Sequence, residues 1–293
     1  MSALLYIISL HLLTAIGAYK MELTKKPLEG KRALVTGGNR NIGEAIVRHL
    51  AVAGASVAIN YVEEPELAEA LVKELNQQFG EGTAHAIEAD ISDQTSVERL
   101  FGHAQTALGG LDILVNNAGI ESMYPALDLP IEEWDRIMKV NLRGAFICAQ
   151  TAAKMMKKQK TGGVIVNIAS IHDSVARLGA THYCVSKAGL TMLTKVLALE
   201  WAEYSIRVVG VSPGAIETSK LRKGVVTSII KNVFERWIPL KRFGDVDDVA
   251  NAVTFVASEA ASYMTGATIY VDGAYSINVI RYDARKFMKK GQE

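Results

Sequence analysis

Apolar positions along this chain switch repeatedly between two periods. Lys31-Arg32-Ala33-Leu34-Val35-Thr36 is a short strand-like run ending in Gly37-Gly38, and helical spacing opens at about Ile42 and runs to Ala53. Ala55 to Asn60 reads as a second strand, Pro65 to Phe79 as a helix, and Thr83 to Ala89 as a third strand. A helix follows over about Ser92 to Leu108, then a fourth strand, Leu111 to Val115, closed by Asn116-Asn117-Ala118-Gly119. The helix from Ile131 to Lys158 precedes a strand over Gly163 to Ile168 and a helix carrying Tyr183. Arg207 to Val211 and Thr268 to Val271 complete the set. Several of these strands are continuous apolar runs, which is the signature of strands covered on both faces. Strands alternating with helices then predict an α/β fold with one parallel sheet between helical layers.

With 293 residues and 49% hydrophobic content, the chain can bury the core of one large α/β domain. No linker, repeat or low-complexity stretch divides it, so the expectation is a single Rossmann-type doubly wound domain over about 30–276, with about seven parallel strands. A net charge of +1 gives no electrostatic footprint for a nucleic-acid partner. Cys148 and Cys184 are too few for a disulfide framework and fit a reducing, cytoplasmic compartment, both read as buried small residues on helices. The six histidines show no metal-ligand spacing, and no metal is expected.

The two ends stand apart. Ser2 to Tyr19 lacks Asp, Glu, Lys and Arg, and as a helix it would span roughly 27 Å against a bilayer core of about 30 Å. Two readings stay open. Residues 1–20 could anchor the chain, the lysines at 20, 25 and 26 keeping the domain on the cytoplasmic side. Or translation starts at Met21 and the segment is an extension without a role. At the other end, residues 277–293 form a basic tail.

In a doubly wound sheet, ligands bind beyond the carboxyl ends of the strands where the strand order reverses. The unusual residue clusters fall at such ends. Thr36-Gly37-Gly38-Asn39-Arg40-Asn41-Ile42-Gly43 joins the first strand to its helix, so its glycines allow a tight turn against a pyrophosphate at the helix N-terminus. Asn41 takes the place of a middle glycine, and asparagine tolerates the left-handed backbone that such a turn requires. At the end of the second strand, where a carboxylate would hold the ribose hydroxyls of NAD, the chain has Asn60-Tyr61, and Arg40 offers a guanidinium. Missing negative charge plus an arginine favours the 2′-phosphate of NADP(H); NAD(H) stays possible because Glu63 and Glu64 lie close by.

Tyr183-Cys184-Val185-Ser186-Lys187 places a phenol and an ammonium one helical turn apart. Bringing a tyrosine from pH 10 to neutrality needs roughly 4 kcal/mol. A positive charge about 4 Å away, at an effective dielectric near 20, supplies about that much. Three polar residues keep a plain alternative: Asp90 as a cap for the following helix, and Asn116 and Asn117 as turn residues at a strand end. Asn141 falls inside the helix expected over 131–158, where asparagine is a poor helix former, which suggests a functional break there.

Together these residues resemble the short-chain dehydrogenase/reductase family, over about Lys31 to Ser276. The family's glycine motif falls on Gly37 and Gly43, its adenine-contacting acid on Asp90 followed by Ile91, and its N-N-A-G motif on Asn116 to Gly119, with Asn117, Ala118 and Gly119 toward the cofactor. Its catalytic asparagine, serine, tyrosine and lysine fall on Asn141, Ser170, Tyr183 and Lys187. Its nicotinamide-flanking turn falls on Pro213-Gly214, with Ile216 and Thr218 following. The resemblance implies hydride transfer between a nicotinamide and a small carbonyl or alcohol substrate. Tyr183 would move the substrate proton, Ser170 would hold the oxygen, Lys187 would depress the tyrosine pKa and hold the nicotinamide ribose, and Asn141 would bind a water linking Lys187 to solvent.

Within the family, Ser170-Ile171-His172-Asp173 and His182-Tyr183 look most like bacterial glucose 1-dehydrogenases, and His172 is either a contact for a polyhydroxy substrate or a loop residue. The pattern also fits 3-oxoacyl-(acyl-carrier-protein) reductases. More distant alternatives are a membrane-attached steroid or retinoid reductase and a non-catalytic dinucleotide sensor. The segment from Ser219 to Ile238, where the family carries a substrate lid, reads as a helix of mixed character. By resemblance a homotetramer is expected, helices near 141–158 and 183–203 pairing across subunits.

Overall fold

A computed structural model describes residues 26–219 and 236–278. The apolar run over 2–19, most of the segment expected as a lid, and the basic tail beyond 278 lie outside the described residues.

Seven strands form one parallel sheet: β1 Arg32–Val35, β2 Ser56–Tyr61, β3 Ala84–Glu88, β4 Ile113–Asn116, β5 Gly163–Ile168, β6 Ile206–Pro213 and β7 Thr268–Val271, in the order β3-β2-β1-β4-β5-β6-β7. The connecting helices are α1 Asn41–Val52, α2 Pro65–Phe79, α3 Gln94–Leu108, α4 Ile131–Met138, α5 Ala145–Gln159, α6 Thr181–Trp201 and α7 Val246–Ala257. The period of two along each strand sorts the core into two layers. Val35, Val57 and Ile59 pack with Ile46, Leu50 and Val253 of α1 and α7. Leu34, Ala58 and Leu114 turn the other way, onto Leu100, Cys148 and Leu197 of α3, α5 and α6. Central strands buried on both faces explain their continuous apolar sequence.

The chain steps outward from β1 to β2 and β3, then returns to place β4 on the other side of β1, with Ala33 opposite Ile113 and Val35 opposite Val115. The order therefore reverses between β1 and β4, and a crevice opens there between the loops that leave both strands. Expected and observed elements agree to within one or two residues, with two differences. Helix α7, with a capping box of Asp245 and Asp248, lies outside the expected elements. The long helix over 131–158 is instead α4 and α5 joined by a π-helical segment, Lys139–Gly144, which contains Asn141. Gly144 explains the close seating of this segment: a Cβ there would sit 2.8 Å from the Ile91 carbonyl oxygen.

No helix among the described residues is long and apolar enough to cross a membrane. Cys148 is buried as expected, whereas Cys184 is only half-buried.

Candidate active site

The β1–α1 turn is shaped by what cannot fit in it. A Cβ on Gly43 would lie 2.0 Å from the Gly37 carbonyl oxygen and 2.6 Å from Asn117 Nδ2. Gly37 has φ +58° and Asn41 φ +50°, so Asn41 adopts the left-handed backbone that replaces the missing glycine. Asn41 Oδ1 also accepts a hydrogen bond from Ser219 N at 2.9 Å, tying the turn to the start of the segment after β6. No side chain caps α1, since Arg40 stands at the N-cap without a capping hydrogen bond. A turn kept free of side chains at Gly37, Gly38 and Gly43, leading into an uncapped helix N-terminus, fits a pyrophosphate.

Several polar residues of this end brace the cradle. Asn117 Nδ2 donates to the carbonyls of Thr36 and Gly37 at 3.0 and 2.8 Å, while Thr36 Oγ1 accepts from Asn117 N and Ala118 N, both at 3.0 Å. Asn39 is buried and donates to the carbonyls of Glu63 and Glu64. Asn60 turns inward: its Nδ2 donates to the Ala89 carbonyl at 2.9 Å and its Oδ1 accepts from Gly37 N at 3.3 Å. Asn60 thus shapes the turn from beneath, and Tyr61, half-buried at the end of β2, is left nearer the surface. Arg40 is held by Glu64 in a short ion pair, with Glu63 at 3.5 Å. Asp90 is exposed and accepts from Ser92 N and Oγ at 2.8 and 2.9 Å; the cap of α3 is Asp93, which leaves Asp90 outside that helix. Ile91 is buried beside it.

Across the crevice, α6 places Tyr183 and Lys187 on one face, and the end of β5 brings Ser170 to them. The Ser170 hydroxyl lies close enough to the Tyr183 phenol to favour its ionised form, and Ser170 Oγ accepts from His172 N at 3.2 Å. The Lys187 ammonium lies 5.8 Å from the Tyr183 ring centre and donates to the Ile168 carbonyl at 2.8 Å. Burial pushes the phenol up to about 12, with Ser170 pulling it down. Burial likewise pushes the Lys187 amine down to about 8, against the favourable charges of Glu121 and Asp173. In the protein alone, burial is the largest influence on the phenol.

Asn141 is buried, its Oδ1 accepting from Ile120 N at 2.8 Å and its Nδ2 donating to the Ile120 carbonyl and to Ser186 Oγ. Both amide hydrogens are used, so a water would meet only the remaining Oδ1 lone pair or the backbone carbonyl. The same contacts fix Gly119, where a Cβ would lie 3.4 Å from Lys187 Nζ. Pro213 ends β6, and Gly214 cannot carry a side chain, because its Cβ would meet that of Asp272 at 2.7 Å. Ile216 is buried and pairs with Gly244 in a short parallel bridge, and Thr218 follows, half-buried. His172 sits edge-on to Tyr183, ring centres 6.3 Å apart, with Nδ1 2.9 Å from the Val175 carbonyl.

One assembly had no signal in the sequence. Buried His182 bonds through Nε2 to Ser122 Oγ at 2.7 Å, and Ser122 bonds Glu133, which Arg136 also holds at 2.8 Å. Arg136 and Ser122 hold the Glu133 carboxyl down at about 2. The chain of contacts ties the loop after β4 to the first turn of α6, directly before Tyr183, from positions up to 60 residues apart.

The family model described as enoyl-(acyl carrier protein) reductase matches residues 37–276. Among curated proteins, 3beta-hydroxysteroid dehydrogenase 1 of Eggerthella lenta is 39% identical over 250 residues, covering 85% of this chain and 95% of that protein. A 3-oxoacyl-(acyl-carrier-protein) reductase of Aquifex aeolicus is 40% identical over 246 residues, covering 84% and 97%. Among solved structures, a gluconate 5-dehydrogenase of Burkholderia cenocepacia in complex with NADP and tartrate superposes with a TM-score of 0.80 at 33% identity, over 87% of this chain and 99% of that one. The chain belongs to the short-chain dehydrogenase/reductase family. It is an oxidoreductase acting on hydroxyl and carbonyl groups.

Proposed function

We propose that this protein interconverts a secondary alcohol, or a sugar hemiacetal, and the matching carbonyl with NADP(H), in the manner of a glucose 1-dehydrogenase. The observation that carries this reading is the convergence of the Ser170 hydroxyl, the Tyr183 phenol and the buried Lys187 ammonium, the last 5.8 Å from the phenol ring centre. When bound, the nicotinamide supplies or accepts the hydride. Ser170 holds the substrate oxygen and steadies the charge that develops on it. Tyr183 gives or takes the proton at that oxygen. Lys187, kept protonated by Glu121 and Asp173, favours the tyrosinate when the proton leaves and holds the nicotinamide ribose. Gly37, Asn41, Ile42 and Gly43 form the pyrophosphate turn; Asn117, Ala118, Gly119 and the Pro213–Gly214 turn wall the crevice.

His172 supports a hydroxylated substrate. With Nδ1 engaged by the Val175 carbonyl, Nε2 is the ring nitrogen left to meet a substrate hydroxyl. NADP(H) is favoured over NAD(H) because β2 ends without a carboxylate and Arg40 stands at the turn; Glu64 moderates that preference.

A second reading, 3-oxoacyl-(acyl-carrier-protein) reduction, is favoured by the Aquifex aeolicus relative at 40% identity. Initial rates with NADP and NAD side by side, on glucose, gluconate, a 3-hydroxysteroid and an acetoacetyl thioester, separate the two. Turnover of the polyols with NADP supports the first; turnover of the thioester alone supports the second. We place the enzyme in the cytoplasm as a homotetramer. An apolar groove lined by Met138, Leu142, Phe146, Met192, Leu193 and Val196 between the π segment and α6 suits pairing of two copies. Light scattering on the purified protein tests the assembly.

A further inference from the structure

We propose that Asp173 is the positioning residue that fixes the separate parts of the site to one another, which rests on the reading of Ser170, Tyr183 and Lys187 given above. Asp173 ends the single turn of 3-10 helix, Ile171–Asp173, that begins directly after Ser170, and its backbone N–H donates to the Ser170 carbonyl at 2.9 Å. Its carboxylate collects hydroxyls from three other elements. Oδ2 accepts from Thr191 Oγ1 on α6 at 2.9 Å and from Ser212 Oγ on β6 at 2.7 Å. Oδ1 accepts from Tyr270 OH on β7 at 2.9 Å.

Each donor adjoins a working part. Thr191 stands one helical turn beyond Lys187 on the same face of α6. Ser212 directly precedes the Pro213–Gly214 turn. Tyr270 lies on β7, two residues before Asp272, against whose Cβ Gly214 packs. One side chain therefore links the Ser170 loop, the helix of the tyrosine and lysine, and the wall expected beside the nicotinamide.

The chemistry requires a carboxylate. Three hydroxyls, each with one hydrogen to give, need an acceptor with several lone pairs and no hydrogens of its own. An asparagine would turn one of those oxygens into a donor, so at least one hydroxyl would lose its acceptor there. No cation pairs directly with Asp173 among the described residues, so its negative charge is spent at longer range, where it favours the Lys187 ammonium. The other charged groups facing this lysine and its tyrosine are Glu121 and Arg177, themselves paired at 3.0 Å.

The test compares Asp173→Asn with Ser212→Ala/Tyr270→Phe, a double variant that keeps the charge and removes two tethers. Steady-state kinetics across pH, NADPH binding by fluorescence and thermal melting are read for each. Asp173→Asn is expected to lose about 100-fold in kcat, the order that a misplacement of about 1 Å brings, with KM changed less than threefold. The alkaline limb of its kcat profile should move to lower pH by about half a unit, because Lys187 has lost a supporting charge. The double variant should lose about tenfold in kcat with the limb unmoved. Wild-type kcat in a folded, NADPH-binding Asp173→Asn overturns the proposal, as does a loss of kcat with KM raised in step and the limb fixed. Should Asp173→Asn fail to fold, the double variant decides: full kcat overturns the proposal. Undiminished turnover by Tyr183→Phe would instead sink the underlying assignment of the catalytic set.

Discussion

Lys187 and Tyr183 share one face of α6, yet the lysine gives its hydrogen bond to the Ile168 carbonyl and stands 5.8 Å from the centre of the phenol ring. The buried ammonium is therefore held by a backbone dipole and two distant carboxylates rather than by a direct partner. Its pKa falls from 10.5 to about 8, so between those values the unfolded chain binds more protons than the folded one. Stability then rises with pH through that window, and the full cost, about 3 kcal/mol, is carried below pH 8. Lys187→Met should abolish turnover yet melt higher than the parent at pH 7, by a margin that closes between pH 8 and 10.5. Melting curves across pH check this; a margin independent of pH would contradict it.

Arg40 is shared with Glu64 and Glu63, at the place where an arginine would meet the 2′-phosphate of NADP. Glu64→Gln should free it and tighten NADP by about fivefold relative to NAD, the scale of one exposed ion pair. Fluorescence titration measures both affinities, and the gain should shrink in high salt. Arg40→Ala should level the two coenzymes.

Asn41 adopts φ +50° and receives the Ser219 N–H. Asn41→Gly keeps the turn conformation and should change the melting free energy by less than about 1 kcal/mol. Asn41→Ala must bear the left-handed strain, about 1 to 2 kcal/mol, and should bind NADP more weakly than the glycine variant. Chemical denaturation and coenzyme titration distinguish the two.

His172 presents a ring nitrogen beside the tyrosine. His172→Ala should raise KM for polyol substrates by about tenfold, the worth of one hydrogen bond, and leave a simple ketone unaffected. Equal effects on both substrates would return His172 to a loop role.

The sheet was legible because its strands are continuous apolar runs and its turns are marked by glycine and asparagine. Asn41 and Asn141 were legible as exceptions: one in a turn that wants glycine, one in a helix that disfavours asparagine, and each proved to sit at a left-handed residue or a π segment. Contacts between distant positions were not. Nothing local in Asn60 says that its amide turns beneath Gly37, and nothing in Arg40 says that Glu64 claims it. The spacing of Tyr183 and Lys187 supplied the Coulomb attraction but not the desolvation, which depends on everything packed around the phenol. Asp173 gathers Thr191, Ser212 and Tyr270 from as far as 97 residues away, a juxtaposition that only the folded sheet creates.

The central claim is that the Tyr183 hydroxyl transfers the substrate proton, and removal of that one oxygen tests it most directly. Tyr183→Phe should bind NADPH as the parent does and lose about a thousandfold in kcat on whichever substrate the panel identifies. Turnover within threefold of the parent, with the coenzyme bound normally, would contradict the account.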